Sequence, residues 1–212
     1  MSNYNIIGIA GGTASGKTTI VSKLFDYYGK STSVIIGQDS YYRHNDNLNF
    51  NQRTMINYDH PRSIDIELFH SNLVAIKNGQ PINKPTYDLK THTRSSLFES
   101  IAPKKLIFVE GTLVFHFKRL VNLMLIKIFI YAPEKVRFNR RLERDISERG
   151  RNINSVLKQY KNTVSPMHQK FVEPTKNIAD INISGETNPE KSLKEIIKLI
   201  DSEYSENNAK KN

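Results

Sequence analysis

The chain has 212 residues and a formal net charge of +10, a length that suits one domain of ordinary size. It contains no cysteine, which excludes disulfides and thiolate-based zinc sites. No apolar run approaches the roughly 20 residues a bilayer span needs, and the N-terminus lacks the basic-then-apolar order of a secretory signal, so the expectation is a cytoplasmic protein without membrane contact.

Asn5 to Ala10 (NIIGIA) is a short apolar run that ends in glycines, which predicts a buried strand. Lys17 to Tyr28 follows as a helix, with Ile20, Val21, Leu24 and Tyr28 at helical spacing. Ser33 to Asp39 (SVIIGQD) is a second strand ending in a carboxylate. Ile64 to Gly79 carries helical periodicity, with Asp65 and Glu67 at its start and Gly79 at its stop. Pro81 to Arg94 has two prolines and polar alternation, which predicts a hairpin insertion over about 80–96. Lys105 to Gly111 (KLIFVEG) and Leu125 to Ala132 (LIKIFIYA) are further strands. Pro133 to Ser147 is a helix with proline near its first position, and residues 151–171 are mostly helical with a disturbance near Pro166. Ala179 to Ser184 is a fifth strand, and residues 188–205 form a last amphipathic helix before a flexible tail over about 206–212. Strands alternating with helices imply an α/β fold of three layers, with a mainly parallel five-stranded sheet covered on both faces.

In such sheets, ligands bind beyond the carboxyl ends of the strands. One such end carries GIAGGTASGKTTI (Gly8 to Ile20), with Gly11, four residues, then Gly16, Lys17 and Thr18. The glycines let backbone N–H groups turn toward phosphate oxygens, Lys17 adds a cation, and Thr18 offers a hydroxyl to Mg²⁺. The helix that follows aims its positive end at the same place. Asp39 and Glu110 end two other strands, so three polar features from distant regions converge on one edge. A guanine-reading motif is missing: Asn83-Lys84-Pro85-Thr86 has Thr where Asp is required.

A carboxylate near the terminal phosphate suits an acceptor's proton, which is the functional reading of Asp39; a turn-forming Asp-Ser is the structural one. Asp59 and His60, in NYDHP, can take a sugar's vicinal hydroxyls or can simply lead into a helix. Tyr87 and His92 offer an aromatic face and a hydrogen-bonding ring to a base, or decorate an exposed hairpin. Between Arg137 and Lys161 stand eight basic residues against Glu143, Asp145 and Glu148. On the Pro133 to Ser147 helix, Phe138, Leu142 and Ile146 form one stripe and Arg137, Arg141 and Arg144 another. The expectation is that the apolar stripe is buried and the guanidiniums are presented to phosphates. Arg149 and Arg151 flank Gly150, which suits a lid over about 140–165 that closes and excludes water.

Taken in order, GGTASGKTT, QDSYY, YDHP, PTYD with THTR, FVEG, RRLERDISERGR and KQY resemble the uridine–cytidine kinase family of P-loop nucleoside kinases, from about Ile6 to Asp180. The resemblance implies a single P-loop kinase domain over 1–212 that moves the γ-phosphate of ATP or GTP, with Mg²⁺, to the 5′-hydroxyl of uridine or cytidine in pyrimidine salvage. It implies that Gly11, Gly12, Thr13, Ala14, Ser15, Gly16, Lys17, Thr18 and Thr19 bind the nucleotide. It assigns catalysis to Asp39, Lys17, Arg144 and Arg149, and magnesium to Thr18, Asp39 and Glu110. It assigns the nucleoside to Tyr42, Asp59, Tyr87, His92, Arg141, Arg151 and Gln159. A homotetramer is implied, with no nucleic-acid partner. Departures from the family pattern are Leu89 in place of an aromatic, Thr112 in place of Ile, and Gly185-Glu186 in place of Arg-Gly. The rivals are another P-loop small-molecule kinase, for phosphoribulose or pantothenate, and a nucleotide-gated nucleic-acid-binding protein using the basic charge.

Overall fold

The computed structural model describes residues 4–209, with side chains as far as residue 205. Its strands are β1 (Asn5–Gly11), β2 (Ser33–Gly37), β3 (Ile82–Asp88), β4 (Thr93–Ile101), β5 (Leu106–Gly111), β6 (Met124–Tyr131) and β7 (Ile181–Ser184). Its helices are α1 (Lys17–Tyr28), α2 (Phe50–Thr54), α3 (Ile66–Lys77), α4 (Lys118–Val121), α5 (Glu134–Ser147), α6 (Ile153–Gln159), α7 (Ser165–Met167) and α8 (Pro189–Ala209). Residues 210–212 of the expected tail lie outside the described residues, and the backbone of 206–209 continues α8. Among the described residues no helix is long and apolar enough to cross a membrane.

Five strands form one sheet in the order β2-β5-β1-β6-β7, and every pairing in it is parallel. β1 lies at the centre and is buried along its whole length, which is why its sequence is an unbroken apolar run and not an alternation. One face of the sheet packs on α3: Phe69, Leu73 and Ile76 meet Ile36, Val109 and Phe129 in one core. Tyr41 stacks on Phe69 there, with ring centroids 4.1 Å apart. The other face packs on α1 and α8, where Ile20, Val21 and Leu24 meet Ile196, Ile200 and Phe108. Three layers result, with the carboxyl ends of β1, β2 and β5 at one edge.

β3 and β4 form a separate antiparallel pair, and β4 runs to Ile101, past the limit of about residue 96 read from the sequence. Arg94 pins this hairpin to the body. It donates to Asp65 Oδ2 (3.1 Å) and to the Tyr42 carbonyl (2.7 Å). Asp65 also caps α3 by accepting from the Leu68 N–H. Around Pro166 the helical path widens: Ser165 N–H reaches back five residues to the Tyr160 carbonyl, which accommodates a proline that cannot donate.

The helix α5 corrects an expectation. Its buried residues are Arg137, Arg141 and Asp145, while Ile146 is 38% exposed. The polar stripe faces inward and the apolar stripe is left at the rim, with only Phe138 finding an aromatic neighbour, Tyr160, at 4.9 Å. The reason is the neighbour on the inner side. It offers acceptors, the Thr13 hydroxyl and Gln159 Oε1 to Arg141 and the Ala132 carbonyl to Arg137, which favour guanidiniums over methyl groups.

Core position and surface position are therefore distinguishable by mutation. Phe69→Ala is expected to cost about 3–5 kcal/mol of unfolding free energy. Leu97→Ala, at a side chain 72% exposed on the hairpin, should stay within about 0.5 kcal/mol of the parent. Urea unfolding midpoints at constant slope measure both.

Candidate active site

The phosphate loop joins β1 to α1. Gly11 has φ 146° and Gly16 φ 103°, and Ala14 between them has φ 55°. A Cβ on Gly11 would lie 2.0 Å from the Ile130 carbonyl oxygen, so only glycine fits there. The loop is braced from behind. A Cβ on Gly12 would meet Arg137 Nη1 at 2.8 Å and His168 Cε1 at 2.9 Å. Arg137 is thus a buried support that donates to the Ala132 carbonyl, not a member of a phosphate-facing row, and this corrects the stripe read from the sequence. From the side, Gly185 abuts the loop so closely that a Cβ would lie 1.8 Å from the Ser15 carbonyl oxygen. Ser15 is fully buried and contributes to the loop through its backbone.

Thr13, Ala14, Gly16, Lys17, Thr18 and Thr19 open onto a cleft of about 1430 Å³. Lys17 Nζ donates to the Gly12 carbonyl at 2.9 Å. Burial pushes its ammonium below the usual lysine range, while Glu110 and Asp39 oppose that shift. Thr18 Oγ1 lies 3.4 Å from Glu110 Oε2. Burial raises the Glu110 carboxyl; Lys17 lowers it and Asp39 raises it again. Asp39 sits just past β2 in a single tight turn, Gln38–Tyr41. Gln38, buried beside it, accepts the Leu113 N–H at 2.8 Å and so ties this turn to the loop after β5.

The sequence-derived magnesium set therefore gathers at one place. Among the described residues no three His, Cys, Asp or Glu side chains form a self-sufficient metal cage. Two carboxylates beside a loop hydroxyl fit Mg²⁺ nonetheless, because that ion takes one or two carboxylates and completes its shell with water and substrate phosphates.

The far end of the cleft is aromatic. Tyr42 lies 5.2 Å from both Tyr58 and Tyr87, centroid to centroid. Tyr58 stacks on His92 at 4.8 Å and 12°, and His92 holds φ 55° at the hairpin turn. Burial first, then Arg151 and Arg53, push the His92 imidazole below its usual range, so it is neutral at pH 7 and can both donate and accept. Burial lifts Tyr42 well above the usual phenol range, with Asp39 and Asp59 adding to the shift. Tyr58 escaped the sequence reading because Asp59 beside it drew the functional assignment; the aromatic in NYDHP was its only signal. Arg53 also escaped. It grips the Thr91 carbonyl at 3.2 Å and the Leu48 carbonyl at 2.6 Å, and so holds the hairpin turn against α2.

The roof is cationic. Arg141 donates to Thr13 Oγ1 at 3.1 Å and to Gln159 Oε1 at 3.0 Å, linking the phosphate loop to α6. Arg151 also donates to Gln159. Arg141, Arg144, Arg149 and Arg151 all line the cleft and all lie against one fully buried carboxylate, Asp145. Asp145 is the third residue that the sequence reading left without a role. Its signal was the pair of arginines at i−4 and i+4.

Phosphate loop, acidic pair and guanidinium roof on a parallel sheet define a P-loop kinase. The sequence pattern of the Phosphoribulokinase / Uridine kinase family matches residues 6–190. Among curated proteins, a uridine kinase of Halalkalibacterium halodurans is 46% identical over 178 residues, 84% of each chain. One of Clostridium novyi is 45% identical, over 84% of this chain and 86% of its own. Among solved structures, phosphoribulokinase from Rhodobacter spheroides shares the fold at a TM-score of 0.63 and 14% identity, covering 88% of this chain and 74% of that one. The chain belongs to the phosphoribulokinase/uridine kinase family.

Asp59 allows a test of the site's electrostatics. Its carboxyl is raised above the ordinary 3.8 by burial first, with Arg141 opposing and Asp39 and Asp145 adding. A carboxyl raised in the folded state stabilises below its unfolded value and weakens the fold as pH climbs through the folded one. Asp59→Asn should therefore raise the melting temperature at pH 7 to 8, by an amount that shrinks to nothing below pH 3.8. A lower melting temperature at pH 7 would contradict the sign.

Proposed function

We propose that the protein transfers the terminal phosphoryl of ATP or GTP to the 5′-hydroxyl of uridine or cytidine. One observation carries the reading. Asp39 lines one cleft together with Lys17 and Glu110 of the phosphate end and Tyr42 and Asp59 of the aromatic end, within electrostatic reach of all four. A carboxylate there can receive the proton of an alcohol while the phosphate loop holds the donor.

In this reading the donor's phosphates lie on the loop amides and Lys17. The ribose hydroxyls lie against Asp59, and the planar base lies within the wall of Tyr42, Tyr58, Tyr87 and His92. That wall is neutral, which favours an uncharged base over an acceptor that carries its own phosphate. The 5′-oxygen forms a bond to the γ-phosphorus as the bond to the bridging β–γ oxygen breaks. The hydroxyl proton passes to Asp39, and the nucleoside diphosphate leaves. Arg144 and Arg149 neutralise the charge that moves onto the bridging oxygen. Thr18, Asp39 and Glu110, together with the phosphates, would hold Mg²⁺, which would neutralise charge on the donor. Arg141, Arg151 and Gln159 hold the nucleoside side of the roof. A cytoplasmic place in pyrimidine salvage and a homotetrameric assembly accompany this reading.

The experiment is a panel of ribonucleosides with labelled ATP and Mg²⁺. Uridine and cytidine are expected to yield their 5′-monophosphates, and Asp39→Asn should lower turnover by about 10²–10⁴-fold. Phosphorylation of none of the nucleosides, or near-parental turnover in Asp39→Asn, would refute the respective assignment.

A further inference from the structure

Asp145 is fully buried and is enclosed by the guanidiniums of the roof. Its Oδ1 accepts from Arg144 Nη2 at 2.9 Å and from Arg144 Nε at 3.2 Å, and lies 3.6 Å from Arg149 Nη1. Its Oδ2 lies 3.4 Å from both Arg141 Nε and Arg151 Nη1. Each oxygen thus faces two arginines. All four arginines line the cleft and Asp145 does not. One negative charge holds four positive ones, which leaves a surplus of three facing the phosphate loop.

That surplus cannot organise itself. Four guanidiniums in one small volume repel each other, and without a fixed counter-charge they spread into solvent along their flexible stems. A carboxylate carried on α5, at i+4 from Arg141 and i−4 from Arg149, sets a common anchor for them. Transition-state stabilisation depends on such fixed placement, because charged groups that are already oriented need no reorganisation when charge moves. The remaining acceptors around the cluster agree with this. Arg151 also donates to Ser155 Oγ at 2.7 Å, and Arg141 is shared with Thr13 and Gln159, so only Arg144 and Arg149 depend on Asp145 alone among these contacts.

We propose that Asp145 is a positioning residue for phosphoryl transfer, acting through Arg144 and Arg149 without touching either substrate. This rests on the proposed nucleoside kinase activity. The residue differs from a merely structural ion pair in one respect. Its contribution to turnover is carried by the arginines, so it shrinks when an arginine it serves is already gone.

The test is a double-mutant cycle in the full-length chain with ATP, Mg²⁺ and uridine, measured well below each variant's melting temperature. Asp145→Asn keeps the shape and one acceptor but removes the charge, and is expected to lower kcat about 100-fold. Arg144→Ala should lower it by a comparable factor. The variant carrying both should lose clearly less than the product of the two single losses, because only Arg149 is then left for Asp145 to hold. If Asp145→Asn does not fold, Asp145→Glu takes its place; it keeps the charge but shifts the anchor by one methylene, and is expected to fold with kcat at least about 10-fold down. Parental kcat in the folded Asp145 variant, or losses that multiply in the double variant, would overturn the proposal. A parent enzyme that phosphorylates no nucleoside would instead sink the proposed activity, so the two failures are told apart by the parent's own assay.

Discussion

Parallel pairing sets Glu110 of β5 beside Ile9 of β1 on one side and Gly37 of β2 on the other. The chemistry of the cleft depends on that register. From Ile9 the chain enters the phosphate loop two residues on, and from Gly37 it reaches Asp39 two residues on. The glycine-rich loop and the carboxylates of Glu110 and Asp39 are delivered to one edge by hydrogen bonds between backbones. A one-residue slip in β5 would turn Glu110 to the opposite face of the sheet and put Val109 or Gly111 in its place. Burial of β1 on both faces makes such a slip costly, because the apolar side chains of two cores, on α3 and on α1 with α8, are keyed to the same strands.

Around this fixed edge the molecule places its less rigid parts. The hairpin of β3 and β4 belongs to no larger sheet; its base is rooted in the core by Ile82 and Ile101, and its turn end is held by Arg94 on Asp65 and the Tyr42 carbonyl and by Arg53 on the Thr91 carbonyl. The roof beyond Gly150 is held by guanidiniums on Asp145, Gln159 and Thr13. At the cleft both are attached by polar contacts that a ligand's own charges and hydrogen bonds can compete with, while Ile82, Ile101, Val156 and Val164 anchor them in buried hydrocarbon outside it. That division suits a kinase, which needs a rigid place for the phosphates and walls that adapt to a bound acceptor.

Much of this was legible in the amino-acid sequence. The phosphate loop was, because its glycines and Lys17-Thr18 have a fixed spacing that follows from the geometry of a phosphate. Asp39 and Glu110 were, because each ends an apolar run that can only be a buried strand. The orientation of α5 was not. Counting apolar residues pointed Phe138, Leu142 and Ile146 inward, but the inner side offers polar partners, the Ala132 carbonyl, Thr13, Gln159 and the neighbouring guanidiniums, and it takes Arg137, Arg141 and Asp145 instead. Periodicity locates the faces of a helix without saying what lies opposite them. Tyr58 and Asp145 were missed for a related reason. Tyr58 matters because it stacks on His92, 34 positions on in the chain, and Asp145 matters because it is enclosed; neither property is local.

A structure of the protein with an unhydrolysable ATP analogue, Mg²⁺ and uridine bears most directly on the central claim. The account predicts the uridine 5′-oxygen about 3 to 3.5 Å from the terminal phosphorus, in line with the bridging oxygen, and within hydrogen-bond reach of Asp39. Uridine bound elsewhere, or with its base on the phosphate loop and its 5′-oxygen turned away from Asp39, would contradict it.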